Sequence, residues 1–274
     1  MSFTKNLTCA ATAICLLAGT ALSASAATLM VGNKYAGTVS FIDLDTGQEE
    51  QRPIAGGSPH ELSVSPDGDK VVVVSYLEDG YIGRELNVFD VATSEHLKTF
   101  DISPHMAPHG IAWLGDSDSV IVTTEETRDV ITVDVAKGEV TGQAETGLIG
   151  THLLAMSPDD QTAYVTSRGS DKISVIDVKT MEIINTVKAD TGPEAVDVSP
   201  DGKSLWVGNN QSETIVVFDA DTMERQHVIE TGYLPIRVKF NPAGTMAAVA
   251  DLNGDRIVVY DRSTHENAAK VDLA

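Results

Sequence analysis

The stretch GSPHELSVSPDG, residues 57–68, decides the fold, because the chain writes it again four times. The copies are MAPHGIAWLGDS (106–117), IGTHLLAMSPDD (149–160), TGPEAVDVSPDG (191–202) and YLPIRVKFNPAG (233–244). A second element recurs between them: TVSFID, ELNVFD, DVITVD, KISVID, TIVVFD and RIVVYD. Their closing aspartates are Asp43, Asp90, Asp134, Asp177, Asp219 and Asp261, at intervals of 47, 44, 43, 42 and 42 residues. A period near 42 without helical patterning is the signature of a propeller blade or a β-solenoid.

Residues 193–230 show how one unit reads. EAVDVS alternates and runs into Pro200-Asp201-Gly202, where proline presets φ and glycine accepts the positive φ that closes a hairpin. SLWVGN is the second strand, and TIVVFD, rich in β-branched residues, is the third. Asp219 opens the turn DADTMER into a fourth strand, QHVIE. The repeated aspartate has a structural reading, since its carboxylate can bond backbone N–H groups within the turn. Four antiparallel strands per unit make a blade.

Five full units start near residues 58, 107, 151, 193 and 235. Residues 28–56 supply the second, third and fourth strands of another unit without its inner strand, and AAKVDLA falls where the last fourth strand belongs. The expected fold is all-β, a propeller of six blades with the first three-stranded. The alternative is a truncated seven-bladed ring, and an unclosed ring exposes strand edges.

SPDG, LWVGNN, TIVVFDADTME and KISVIDVKTMEIINTV together resemble the YVTN-repeat (YncE-like) β-propellers, over essentially all of residues 28–274. Related propellers include lactonases, the haem-carrying domain of a nitrite reductase and the large subunit of methylamine dehydrogenase. That resemblance implies the fold and leaves the activity open. The family is typically seven-bladed, so the count of six departs from it.

Residues 1–27 read as a secretory signal. Lys5 is followed by a charge-free stretch from Leu7 to Leu22 and a small-residue end, Ala24-Ser25-Ala26-Ala27. Cleavage near Ala26 or Ala27 would place the protein in the periplasm or outside the cell. Cys9 and Cys15 are the only cysteines and would leave with the leader, so a mature chain of 247 residues carries neither disulfide nor thiolate site. No later segment is long and apolar enough to span a membrane. Lys5 is the leader's one charged residue, so cleavage takes the net charge from −21 to −22. Such a surface repels nucleic acid and anionic lipid and suits solubility or a basic partner.

A site would lie where the inner strands open at the channel mouth. One residue past the opening Pro or Thr of each copy come His60, His109, His152, Glu194 and Ile236, followed by Arg237. Imidazoles converging there suit a divalent transition metal, with His60, His109 and His152 as the expected ligands. They could equally hydrogen-bond loop carbonyls as products of repeat duplication. Lactonase-like propellers place His, Glu and Arg at such a mouth. The resemblance therefore implies an alternative hydrolytic role, with Glu194 or a histidine activating water and Arg237 stabilising an oxyanion. A third reading is an accessory protein to a periplasmic redox system. The loops between second and third strands add Asn33, Lys34, Tyr35, Glu125, Glu126, Arg128, Arg168, Asn209, Asn210, Asp251 and Asn253, of which the asparagines and the aspartate read as turn formers. Arg168, Tyr76 and Asn210 are the loop candidates for ligand contact. The loop SYLEDGYIGREL, with Tyr76, Glu78, Asp79, Tyr81 and Arg84, is the longest and could serve as a lid or partner contact. His105 lies in the same loop region and could join a site, although alone it reads as exposed. The motifs of P-loops, zincins, serine-nucleophile elbows and haem attachment are missing. The sequence thus points to a binding or scaffold module for a small molecule or protein.

Overall fold

The computed structural model describes residues 27–78, 80–115 and 118–273. The expected leader, apart from Ala27, and Asp79 lie outside the described residues. The described residues form six large antiparallel sheets, one three-stranded and five four-stranded, each made of strands that follow one another in sequence except where a small hairpin interrupts the second. The first holds Thr28–Asn33, Thr38–Asp43 and Glu49–Pro53. The other five begin with inner strands Pro59–Val64, Pro108–Trp113, Thr151–Met156, Pro193–Val198 and Pro235–Phe240. The C-terminal repeat remnant forms the last outer strand, Asn267–Asp272. The long loop of the second sheet folds into a small hairpin of its own, Leu77–Glu78 paired with Tyr81–Ile82.

The middle strands explain the continuous apolar runs. Lys70–Ser75, Ser119–Thr124, Thr162–Ser167 and Ser204–Asn209 are buried at every position after the first. Each is covered on both faces by neighbouring sheets, so alternation disappears and Val/Ile-rich runs replace it. Five apolar cores result, one between each consecutive pair of sheets from first to sixth. Trp206 and Phe218, fully buried on the fifth sheet, anchor its contacts with the sixth and fourth sheets respectively.

The two end sheets differ. In Met246–Asp251 of the sixth sheet, Ala247, Val249 and Asp251 are buried while Met246, Ala248 and Ala250 remain partly open. On the first sheet Met30 packs toward the second, whereas Leu29 and Val31 are exposed. The outward faces of the two end sheets therefore lack the apolar packing that joins the other neighbours, among the described residues. At the hub, Arg237 of the sixth sheet bonds Glu61 of the second. No described helix is long and apolar enough to cross a membrane.

One irregularity positions the site. Every inner strand loses register with its neighbour just after its first residue, at Pro59/Leu62, Pro108/Ile111, Thr151/Leu154, Pro193/Ala195 and Pro235/Arg237. Such bulges bend a strand and re-aim its side chains. The bulged residues include His60, Glu61, His109, His152, Glu194 and Ile236, the positions where the sequence copies diverge.

Candidate functional site at the channel mouth

The bulges bring residues from five sheets, the second to the sixth, into one cluster. The His109 and His152 rings lie 3.7 Å apart between centroids, and those of His60 and His109 lie 4.3 Å apart. Gly110 permits this closeness. A Cβ there would meet the backbone O of His152 at 2.9 Å and the N of Leu154 at 3.0 Å. The Thr123 hydroxyl accepts from Gly110 N at 2.8 Å and donates to the His152 carbonyl, tying the third and fourth sheets together at this point. Tyr76 presents its ring edge-on to both His60 and His109 and donates its hydroxyl hydrogen to Glu125 at 2.6 Å.

His152 is held at both nitrogens. Nδ1 donates to Glu125 at 2.7 Å and Nε2 to Glu194 at 2.8 Å. Burial alone would lower its pKa, but the two carboxylate bonds and their charges raise it above the usual imidazole value. Two donated N–H groups define an imidazolium. Glu194 also accepts from Arg168 at 3.2 Å and Asn210 at 3.3 Å, with Arg237 at 3.8 Å. Arg168 lies 3.8 Å from Glu125 as well. Burial would raise the pKa of Glu194 and Glu125, yet hydrogen bonds and cationic neighbours hold both below the ordinary range. Glu61 is lowered likewise, by a hydrogen bond from His60 and the charge of Arg237 acting against burial.

The chemistry of this cluster is one of mutual neutralisation. Three carboxylates, Glu61, Glu125 and Glu194, are matched by Arg168, Arg237 and the His152 imidazolium. His109 stands apart. It is fully buried, both ring nitrogens lack a hydrogen-bond partner, and burial keeps it well below the normal imidazole pKa. Spacing suggested His60, His109 and His152 as a metal-ligand set. The ligand atoms that lie together instead belong to His60, Glu61 and His109, all within 4.8 Å of one another, because His152 has spent both nitrogens on carboxylates.

Below the mouth the inner strands of the second to sixth sheets line an open cavity of about 680 Å³. Glu61 and Arg237 border it at one end, and Asp197 and Lys239, paired at 2.9 Å, also line it. A second cavity of about 300 Å³ is bounded by Arg168, Glu194, Asn210, Gln211 and Leu234.

Of the residues singled out from sequence, His60, His109, His152, Glu194, Arg237, Arg168, Tyr76 and Asn210 all meet at the mouth. Ile236 contributes its carbonyl, which accepts from Arg237 at 2.7 Å. His105 corrects an expectation of exposure: it is buried and bonds Asp129 at 2.8 Å. A buried carboxylate two dozen residues away offers no sequence signal for that pairing. Sequence reasoning gave no role to Glu61, which the bulge turns toward the hub beside His60. It also read Glu125 only as a loop residue, although Glu125 anchors both His152 and Tyr76.

The fold and mouth define a repeat β-propeller with a polar, charge-balanced hub. The chain belongs to the lactonase, seven-bladed β-propeller family, whose family model matches residues 32–228. Its six sheets depart from the count in that description. Among solved structures it is similar to the hydrazine synthase of Kuenenia stuttgartiensis, with a TM-score of 0.77 at 15% identity over 91% of this chain and 84% of that one. It is similar also to a functionally unknown protein from Desulfotomaculum acetoxidans, with a TM-score of 0.76 at 15% identity over 90% and 83%. At such identities the likeness concerns the fold. No curated protein matches.

Proposed function

We propose that the protein is an exported, YVTN-repeat (YncE-like) β-propeller that acts as a binding and scaffold module through its channel mouth, and that it is not a hydrolase. The observation that carries this reading is the mutual neutralisation at the mouth. A lactonase mechanism asks Glu194 or a histidine to take a proton from water, and an arginine to be free for the oxyanion. Glu194 instead accepts from three side chains and has a depressed pKa, which makes it a weak base. His152 already carries its second proton, and Arg237 is committed to Glu61. A hub preorganised in this way suits recognition. The adjoining cavity of about 680 Å³ falls in the ordinary range for small-ligand sites, roughly 300–1,000 Å³. Export is supported by the basic, apolar and small-residue pattern of residues 1–27. The net charge of −21 favours cationic ligands or basic partners and slows the approach of anionic substrates.

The test is turnover. The purified protein, incubated in a pH-stat with a panel of five- and six-membered-ring lactones, should release acid no faster than buffer. Lactone hydrolysis that disappears in Glu194→Gln would contradict the reading and make the mouth an active site.

A further inference from the structure

We propose that the mouth holds a divalent transition-metal ion on His60, Glu61 and His109, with a coordination position left open to a small ligand. This deepens the binding reading above and rests on it. The argument starts from His109. A fully buried imidazole with neither nitrogen bonded leaves an unpaired polar group in a low-dielectric setting, which costs on the order of 1–3 kcal/mol. The other buried histidines do not tolerate this: His152 bonds two carboxylates and His105, away from the hub, bonds Asp129. His109 has a neighbouring imidazole and carboxylate instead, and these three residues offer ligand atoms within 4.8 Å of one another.

The donor set has the right chemistry. Two imidazoles and a carboxylate suit zinc and copper, and make a poor site for magnesium or calcium, which favour all-oxygen shells. His60 Nδ1 and Glu61 Oε1 are 3.5 Å apart. Two ligands on one tetrahedral zinc, with bonds of roughly 2.0–2.2 Å, stand at about that separation. The electrostatics divide. The chain's net charge of −21 draws cations in, whereas Arg237 on Glu61, the His152 imidazolium against His109, Arg168, and Lys34, 5.3 Å from the Tyr76 ring centre, oppose one locally. Metal would therefore bind to the Glu61 carboxylate in competition with the guanidinium. His152 lies against His109 yet stays out of the shell, because both its nitrogens are engaged.

The test uses the untagged protein, stripped with chelator and titrated with zinc or copper(II) by isothermal calorimetry, with excess magnesium present. One metal per chain should bind, and His109→Ala, His60→Ala and Glu61→Gln should each weaken it at least tenfold. Copper(II) electron paramagnetic resonance should show coupling to two imidazole nitrogens in the wild type and one in His60→Ala. His60 is partly exposed, so that variant remains informative if His109→Ala does not fold. The rival site is the stacked pair His227 and His265, with ring centroids 4.3 Å apart. Binding that survives the three mouth substitutions, or that His265→Ala abolishes, would overturn the proposal, as would failure to bind either metal. The lactone panel keeps the two readings separate. Absent metal binding without turnover overturns the metal site alone. Turnover overturns the non-hydrolytic reading whether or not metal binds.

Discussion

His152 and Glu194 are one repeat apart in sequence, and their 2.8 Å contact is the centre of the mouth. Glu194 is 4% exposed, and the His152 beneath it is equally inaccessible. Removing one member of a buried ion pair leaves the other without compensation, at roughly 3–5 kcal/mol. Arg168 and Arg237 retain access to water and can rehydrate, so Glu194→Ala should sit at the low end, about 3 kcal/mol by denaturant unfolding. Glu194→Gln, which keeps an acceptor for His152, should cost clearly less. Equal losses in the two variants would mean that shape rather than charge pairing holds the mouth. The convergence of these residues was legible in the repeat, because equivalent positions of a propeller face one hub. Which histidine pairs with which carboxylate was not. That depends on a bulge of one or two residues and on Gly110, whose missing Cβ lets the third and fourth inner strands touch.

At the scale of one strand and its turn, sequence and structure agree closely. The aspartates that end the third strands accept hydrogen bonds from N–H groups two and three residues on, as Asp219 does from Asp221 at 3.1 Å and Thr222 at 2.9 Å. The same bonding, joined by Thr, Ser or Lys side chains, lowers the pKa of all six, Asp43, Asp90, Asp134, Asp177, Asp219 and Asp261. A carboxylate depressed on folding adds stability that is complete above its unfolded pKa, about 3.9, and is lost as pH falls through the folded value. The urea midpoint should therefore drop as pH is lowered from about 5 toward 2. Asp219→Asn should start lower at neutral pH and fall less steeply on acidification. Parallel curves for variant and wild type would show that this turn contributes nothing pH-dependent. Turn chemistry was readable because it is local, a side chain meeting backbone two or three residues away. The His105–Asp129 pair, set by tertiary packing, was not.

At the scale of the whole molecule, sheets two to five are packed on both faces, while the first and sixth each have one face without an apolar core among the described residues. Protection against hydrogen exchange follows local burial and contact. Backbone amides of the first sheet and of Asn267–Asp272 should exchange earliest, and those of Ser119–Thr124, Thr162–Ser167 and Ser204–Asn209 last. Uniform protection around the ring would show that the end sheets are covered in solution. The sheet count and the missing first inner strand could be read from a 42-residue period alone. How the ends meet could not, because closure is a property of the assembled ring and no single repeat encodes it.

The claim that the mouth recognises rather than hydrolyses depends on the protonation of two touching histidines. It is tested most directly by recording the ring ¹⁵N and ¹³C shifts of His109 and His152 in the metal-free protein as pH is varied. The structure predicts that His152 keeps its second proton to higher pH than an ordinary imidazole, and that His109 gives up its charge at much lower pH than one. A His152 that deprotonates below the ordinary imidazole value, with a Glu194 carboxyl that titrates above the ordinary carboxylate range, would contradict the account and restore the mouth as a general base.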